Sequence, residues 1–304
     1  MSPSITFAIP FFTGLRYLPL AMRSILAQQD GDWRAFVCDN ASPEPGVENV
    51  VKAFGGGRIG YVRNATNLGM AGNFNHCIDL ADTELVTLLH ADDELVPTYA
   101  GAMRAVAARY PDAAAFFCRA EIIGHDSQPL FSLTDYVKDF ITPSASEEFV
   151  LAGETGIEAL LKGNFIMAPS LCFQKPVLGT RRFPEGFKFV LDQELTTELL
   201  LAGSSLVGIP ESCYRYRRHD ANATEQFTRT QLRFREESAY FDRMRIEARQ
   251  RGWQTAERLA AAKRILKLNV AYRALKSAAL LQVADARRGV KLLRELGKSP
   301  SRSS

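Results

Sequence analysis

The sequence predicts an α/β fold in which helices flank a mostly parallel sheet, followed by a helical C-terminal extension. Short apolar runs alternate with segments of helical periodicity over roughly the first two thirds of the chain. This alternation is typical of βαβ units, whose crossover connections make the joined strands parallel. Beyond Glu225 the pattern is helical, with a break near Gly252. We therefore expect one domain over residues 1 to 220 and a basic helical extension over residues 221 to 304.

Each predicted strand is a short apolar run that stops at a proline, a charged residue or a turn sequence. In chain order the predicted strands are Ile5 to Phe11, Arg34 to Cys38, Ile59 to Arg63, Leu85 to Leu89, Ala114 to Arg119 and Leu206 to Ile209. The main predicted helices are Tyr17 to Gln28, a helix through Val50 and Phe54, Asn73 to Leu80, Glu154 to Leu161 and Asp192 to Leu201. Residues 125 to 148 are predicted to be a loop, and Phe165 to Phe173 an extended or irregular stretch.

Composition indicates a soluble globular protein. Hydrophobic residues make up 46% of the chain and charged residues 23%, and the five cysteines are dispersed without a CxxC pair. No N-terminal signal and no apolar stretch of about 20 residues is visible. We therefore expect a cytoplasmic protein, peripheral at the inner face of the membrane if its C-terminal helices bind lipid.

A run of carboxylates follows the fourth predicted strand, at Asp92, Asp93 and Glu94. Magnesium and manganese prefer oxygen ligands and commonly take one or two protein carboxylates together with a bound phosphate. Ligands of parallel sheets lie beyond the carboxyl ends of the strands, where Phe12 and Asp39 also fall. The alternative is a solvated acidic loop that begins the following helix, since acidic residues are favoured at helix N-termini.

Four motifs occur in order along the chain, and together they resemble glycosyltransferase family 2. They are Pro10-Phe11-Phe12, Val37-Cys38-Asp39-Asn40-Ala41-Ser42, Asn67-Leu68-Gly69 and Ala91-Asp92-Asp93. The resemblance covers about residues 5 to 220. It implies the GT-A fold, an inverting mechanism and a nucleotide-diphosphate sugar donor.

The first three motifs carry the residues that the resemblance assigns to the nucleoside. Pro10 and Phe12 stand where the family lines the nucleobase pocket, and Asp39 matches the carboxylate that accepts a hydrogen bond from the imide N–H of uracil or thymine. Asn67 and Gly69 fit the loop that closes over the nucleoside. Four of these residues also have a structural alternative: core packing for Phe12, an Asx turn for Asp39, and a plain turn for Asn67 and Gly69.

The acidic motif departs from the family's common D-x-D pattern, because His90 occupies the first acidic position. We assign Asp92 to the donor ribose and Asp93 to a Mn²⁺ or Mg²⁺ ion, or the same two residues with these roles exchanged. For His90 the alternative is a packed histidine at the end of a strand.

Two downstream segments complete the predicted site. Asp192 matches the family's catalytic base, with Glu194 as the second choice; the alternative is that Asp192 only caps its helix. In the basic segment, Arg217 and Arg218 are expected at the donor diphosphate, and His219 at the metal or a phosphate, unless this is a solvated charge run.

The C-terminal segment has an apolar stripe at helical spacing, with basic residues beside it. The stripe consists of Ile265, Leu268, Tyr272, Leu275, Ala279 and Val283. From Glu257 onward there are twelve Lys or Arg and three acidic residues. Two alternatives stay open: packing on the chain's own domain or a second subunit, and contact with an anionic membrane surface. We expect no nucleic-acid partner.

The expected function is metal-dependent, inverting transfer of a sugar from a UDP- or dTDP-sugar to a hydroxyl. The acceptor would be a glycan or a lipid-linked molecule in polysaccharide, O-antigen or glycolipid assembly. The alternative is a non-catalytic nucleotide-sugar binding protein on the same scaffold.

Overall fold

The computed structural model describes residues 3–130, 142–144, 146–219, 227–279 and 281–297. The chain divides into two compact units. The sheet unit comprises Met1–Gly156 and Phe165–Asn222, and the helical unit comprises Ile157–Asn164 and Ala223–Ser304. Most of the predicted loop over residues 125 to 148 lies outside the described residues.

Within the described residues, the sheet unit contains nine strands, which form one sheet. They are β1 (Ile5–Phe11), β2 (Trp33–Asp39), β3 (Ile59–Arg63), β4 (Leu85–Leu88), β5 (Glu94–Leu95), β6 (Ala113–Ile123), β7 (Phe149–Leu151), β8 (Cys172–Gln174) and β9 (Ser205–Arg217). The helices up to β9 are α1 (Leu18–Leu26), α2 (Val47–Phe54), α3 (Gly69–Leu80), α4 (Tyr99–Arg109), α5 (Gly153–Lys162), α6 (Lys175–Leu178) and α7 (Leu191–Leu201). Of these, α5 begins in the sheet unit and ends in the helical unit.

The sheet follows the order β3-β2-β1-β4-β8-β6-β9-β5, and β7 pairs with the first part of β9. Parallel pairing joins β3, β2, β1 and β4 in one block, and it also joins β6 to β9. Strand β8 is antiparallel to both β4 and β6, so the two parallel blocks point the same way. The carboxyl ends of β1, β2, β4, β6 and β9 therefore lie along one edge. The predicted α/β class is confirmed.

The central strand β1 is buried along nearly its whole length. Ile5, Phe7, Ile9 and Phe11 are fully buried, and they pack with apolar side chains of neighbouring helices. A continuous apolar run is what a parallel strand covered on both faces requires. In the register of the sheet Phe11 pairs with Asp39, the last residue of β2, so residues that follow β1 emerge beside Asp39.

Strand β9 is much longer than the predicted strand over Leu206 to Ile209, because a bulge accommodates Pro210. Phe117 of β6 pairs with Gly208, whereas Arg119 pairs with Ser212, so the intervening residues of β9 bulge out of register. Proline has no N–H for a ladder hydrogen bond, and a bulge tolerates this loss. The strand resumes beyond the bulge and carries Tyr214 and Arg217 to the carboxyl edge.

The helical unit contains α8 (Leu232–Gln250), α9 (Gln254–Ala262), α10 (Arg264–Ala279) and α11 (Val283–Gly297). The predicted break at Gly252 is confirmed, and this residue has the left-handed φ of 72° that favours glycine. Buried side chains of α8 include Tyr240, Phe241 and Met244. Within the described part of the chain, no helix is long and apolar enough to cross a membrane.

A fully buried arginine fixes the end of β9 to the turn between β4 and β5. The side chain of Arg217 has no exposed surface, and its backbone N–H donates to Asp93 Oδ1 at 2.8 Å. Its side-chain nitrogens donate to the Asp92 carbonyl at 2.7 Å, the Gly124 carbonyl at 2.7 Å, Ser127 Oγ at 3.0 Å and the Glu94 carboxylate. A buried charge is tolerated only when it is paired and hydrogen-bonded. Arg217 therefore acts as a clamp that assembles this edge.

We predict that Arg217→Met lowers the free energy of unfolding by about 3–5 kcal/mol, because it leaves the Glu94 carboxylate and several acceptors without their donor. Urea unfolding followed by circular dichroism measures this change. The matched control is Arg215→Met, two residues away, where the pair with Glu121 is 40% and 49% exposed. That loss should cost about 1 kcal/mol or less. Equal losses in the two variants would contradict the clamp.

Candidate active site

Phe12 lies directly after β1 at the carboxyl edge of the sheet. Its side chain is 42% exposed, so it does not serve the core, and Pro10 is partly buried. The structural alternative of simple core packing for Phe12 is therefore contradicted. An exposed aromatic ring at this edge can cover one face of a flat ligand.

Asp39 is buried and accepts three hydrogen bonds from its own surroundings. Its Oδ1 accepts the backbone N–H of Ser42 at 2.7 Å, and its Oδ2 accepts the Tyr61 hydroxyl at 2.6 Å and the Arg63 guanidinium. The bond from Ser42 shows that Asp39 also stabilises the turn after β2, which was its structural alternative. An ionised carboxylate has about four acceptor positions, but Asp39 has no exposed surface, so a further donor can reach it only when a covering side chain such as Arg63 moves. Burial and the bond to Asp39 both raise the pKa of Tyr61, which keeps its hydroxyl protonated as a donor.

A cluster of asparagine side chains holds the Asn67-Leu68-Gly69 loop beside Asp39. Asn40 Nδ2 donates to Asn67 Oδ1 and to the Gly69 carbonyl, both at 3.0 Å. Asn64 Nδ2 in turn donates to Asn40 Oδ1 at 3.1 Å and to Asn73 Oδ1 at 2.9 Å. The sequence analysis missed Asn40, Asn64 and Asn73 as positioning residues. For Asn40 and Asn64 the signal was an amide close behind a predicted apolar strand, where buried polar groups need partners. Asn73 lies within a helix and carried no such signal.

Asp92 and Asp93 are adjacent in sequence but differ sharply in environment. Asp93 is 1% exposed, and its oxygens accept the Tyr214 hydroxyl and the Arg217 backbone N–H, each at 2.8 Å. The Asp92 side chain is 30% exposed, and its Oδ2 lies 2.9 Å from His219 Nε2. Asp93 therefore ties the turn to β9, whereas Asp92 faces the edge together with His219.

The pKa values of the two carboxyl groups are shifted in opposite directions. Burial, reinforced by the charge of Asp92, raises the pKa of Asp93 well above its ordinary value, although Arg217 and Tyr214 oppose this. Burial also acts to raise the pKa of Asp92, but the bond to His219 and the charges of His90 and His219 hold it below the ordinary value. Asp92 is therefore the more readily ionised of the two.

Three side chains at this edge could hold a cation. One ligand atom from each of His90, Asp92 and Asp93 lies within 4.8 Å of the other two. Burial lowers the pKa of His90, so its ring is neutral and able to donate a lone pair. The ring also contacts Phe74, with 5.7 Å between centroids.

The basic segment contributes three residues with different placements. His219 packs on Tyr17, which the sequence analysis missed, with 5.1 Å between ring centroids. Arg218 is exposed, and its backbone N–H donates to the Ile123 carbonyl at 2.9 Å. The clamp residue Arg217 is fully buried among protein acceptors, and this placement argues against the direct diphosphate contact predicted for it.

Asp192 lies in the first turn of α7. Val190 is at the N-cap, so Asp192 does not occupy the cap position proposed as its structural alternative. Asp192 is half-buried, whereas Glu194 is buried, as expected for residues on different sides of a helix. A short turn joins α7 to β9, and α7 packs on that strand. We infer that α7 runs opposite to β9 and begins towards the carboxyl edge.

Comparison with known sequences identifies a family over the first half of the chain. Residues 6–156 match the family described as Glycosyl transferase family 2. "Uncharacterized protein MT1568" of Mycobacterium tuberculosis is 29% identical over 111 residues, which cover 36% of this chain and 33% of that protein. "Putative glycosyltransferase EpsE" of Bacillus subtilis is 28% identical over 98 residues, which cover 31% of this chain and 35% of that protein. The matched segments thus span about a third of these relatives.

Among solved structures, the chain is similar to TarS of S. aureus. The crystal structure of TarS 1-349 in complex with UDP-GlcNAc has a TM-score of 0.60 at 14% identity, covering 81% of this chain and 65% of that chain. The complex of TarS 1-349 with UDP has a TM-score of 0.57 at 13% identity, covering 96% and 91%. At such identities the likeness establishes the fold. Together with the match over residues 6–156, it shows that the chain belongs to glycosyltransferase family 2 and has the GT-A fold.

Proposed function

We propose that this protein transfers a sugar from a nucleotide-diphosphate donor to a hydroxyl acceptor, with inversion at the anomeric carbon. The observation that carries the proposal is that the residues assigned to nucleoside binding and to metal binding lie at the carboxyl ends of neighbouring strands. Phe12 follows β1, Asp39 ends β2, and Asp92 follows β4 beside His219. The family assignment supports the reaction class. The TarS complexes, which contain UDP-GlcNAc and UDP, support a nucleotide-sugar donor.

At the nucleoside end, we assign Phe12 and Pro10 to the face of the base and Asp39 to its edge. Uracil and thymine each present an imide N–H, and the remaining acceptor position of Asp39 suits that donor. The Arg63 side chain is 46% exposed, so it has room to move aside from Asp39 when a base binds. The loop carrying Asn67 and Gly69 would then cover the nucleoside. These features favour a UDP- or dTDP-sugar.

At the diphosphate end, we propose that Asp92 holds the cation and Asp93 braces the turn, which exchanges the roles first assigned to them. The oxygens of Asp93 are already engaged by Tyr214 and Arg217, whereas the Asp92 side chain is 30% exposed. His90 and His219 are suitable further ligands, and the oxygen and nitrogen donors together fit Mn²⁺. When bound, such a cation neutralises the negative charge that develops on the departing diphosphate.

We propose Asp192 as the general base. Its carboxylate would accept the proton of the acceptor hydroxyl while that oxygen attacks the anomeric carbon opposite the diphosphate. The new C–O bond forms as the bond to the diphosphate oxygen breaks, and the nucleotide diphosphate leaves with the bonding electron pair. Of the two arginines predicted at the diphosphate, Arg218 is exposed and Arg217 is buried, so we assign the contact with phosphate oxygens to Arg218. The acceptor is proposed to be a hydroxyl of a glycan or lipid-linked molecule.

The binding-only alternative has one observation in its favour, which is His90 in place of the usual first acidic residue. Two measurements on the same preparation separate it from a transferase. Calorimetric titration with UDP and Mn²⁺ reports binding, and donor hydrolysis with UDP-sugars reports turnover. A transferase should give both signals. Binding without any turnover across the common UDP- and dTDP-sugars would favour the binding protein.

We predict that Asp192→Asn reduces turnover by about 10²–10⁴-fold, the usual range for loss of a positioned general base. Donor affinity should change by less than about threefold, because the base contacts the acceptor. Steady-state kinetics and UDP titration measure the two effects. The control is Glu198→Gln, an exposed residue on the same helix, which should retain turnover. Full activity of Asp192→Asn would assign the base to another residue, with Glu194 tested next.

We predict opposite phenotypes for the two neighbouring carboxylates. Asp92→Asn should abolish most Mn²⁺-dependent UDP binding while leaving the unfolding free energy nearly unchanged. Asp93→Asn should lower the unfolding free energy by about 1–3 kcal/mol, because one buried donor loses its acceptor. Calorimetry and urea unfolding report the two quantities. If only Asp92→Asn lowered the free energy of unfolding, the roles assigned to Asp92 and Asp93 would be reversed.

We predict that His90 biases the site towards Mn²⁺. Replacement of an imidazole nitrogen by a carboxylate oxygen favours Mg²⁺ relative to later transition metals. His90→Asp should therefore lower the ratio of Mn²⁺ to Mg²⁺ affinity by about tenfold, measured by calorimetry in the presence of UDP. His90→Gln, which removes the ligand nitrogen without adding charge, should weaken Mn²⁺ binding without improving Mg²⁺ binding. Unchanged metal affinities in both variants would exclude His90 from the ligand set.

A further inference from the structure

Helix α10 presents a row of apolar side chains to solvent. Leu268, Tyr272 and Leu275 are 65%, 55% and 71% exposed. Their spacing of four and three residues puts them on one face of the helix. Beyond the end of α10, Leu281 and Val283 are also exposed, at 85% and 56%.

The opposite face of α10 is the one that packs inside the helical unit. Leu266, Val270 and Ala274 are buried, and a Cβ built on Gly289 of α11 would lie 2.8 Å from the Ala274 Cβ. This close approach shows that α10 and α11 meet through small residues. The predicted stripe is therefore the outward face, and its packing on the chain's own domain is contradicted for Leu268, Tyr272 and Leu275. Their exposure calls for a different role.

The charged residues of α10 itself all have the same sign. Helix α10 contains four basic residues and no acidic residue. Arg264 and Lys276 are exposed, and the helical period places them on the two flanks of the apolar row. Over residues 264–297 there are eight Lys or Arg and two acidic residues. An apolar stripe with basic flanks is typical of helices that lie in the headgroup region of anionic bilayers.

We propose that the outward face of α10 binds the surface of an anionic lipid bilayer. Leu268 and Leu275 would enter the boundary between headgroups and acyl chains, and Tyr272 would span it with its hydroxyl in the polar layer. The flanking cations would contact lipid phosphates. A second copy of the chain fits this face less well, because a symmetric contact would bring the basic flanks of the two helices together without an acidic partner on either helix. This inference is independent of the proposed transferase activity.

The test is cosedimentation of the full chain with vesicles of phosphatidylglycerol and phosphatidylcholine, compared with vesicles of phosphatidylcholine alone. Leu268→Ser with Leu275→Ser should reduce the partition coefficient on anionic vesicles by about tenfold or more. Arg264→Glu with Lys276→Glu should reduce it similarly, and 0.5 M salt should weaken the binding of the unaltered chain through screening. All these side chains are exposed, so circular dichroism spectra should not change.

The matched control is Ile246→Ser, which removes a 52% exposed apolar side chain from α8. This variant should bind vesicles like the unaltered chain. Sedimentation velocity without lipid tests the competing occupant. A dimer that Leu268→Ser with Leu275→Ser converts to monomer, or vesicle binding that both double variants retain, would overturn the proposal. Equal binding to neutral and anionic vesicles would also overturn it.

Discussion

Desolvation of the Arg217 guanidinium is the constraint on which the rest of the site depends. A charge without exposed surface must find acceptors for its donors, and here the acceptors come from the turn after β4, from the segment after β6 and from Glu94. Satisfying Arg217 therefore joins the end of β9 to two segments that are far away in sequence, residues 92–94 and residues 124–127. The same arrangement leaves Asp92 and His219 side by side at the edge, 2.9 Å apart. The buried Arg217 clamp thus positions the more exposed Asp92 and His219, and we assign it no direct part in the reaction.

A second polar network does the same for the nucleoside end. Asn40 is buried directly after β2. Its side-chain amide donates hydrogen bonds to Asn67 and to the Gly69 carbonyl, and these bonds fix the position of the loop at the start of α3. Asp39, one residue earlier, is held by Ser42, Tyr61 and Arg63. At both ends of the proposed donor site, buried polar groups thus hydrogen-bond to one another and hold the local backbone in place. More exposed side chains such as Phe12 and Asp92 lie at the surface of the site. Rigid positioning of this kind is what a transfer reaction requires of its donor site.

The helical unit shows how one helix can serve two environments. In α10 the small and apolar residues Leu266, Val270 and Ala274 pack internally, while Leu268, Tyr272 and Leu275 face outward. A helix that is apolar on two sides needs two partners, and the fold supplies one. The basic flanks indicate the chemistry of the other. A transferase acting on lipid-linked acceptors would gain from such a surface, because it would hold the enzyme near them.

The sequence by itself determined six of the nine described strands, the order of the motifs and the edge at which Phe12, Asp39 and Asp92 lie, but it did not predict the short strands β5, β7 and β8. The features that it determined depend on local periodicity and on the rule that parallel strands end together. Only the tertiary structure decided the rest: which of Asp92 and Asp93 is buried, that Arg217 is a clamp, that β9 continues past Pro210, and which face of α10 is exposed. Burial and hydrogen-bond partners arise from contacts between residues distant in sequence, such as Asp93 with Tyr214. Two adjacent aspartates look alike in a sequence because local pattern carries no information about those contacts.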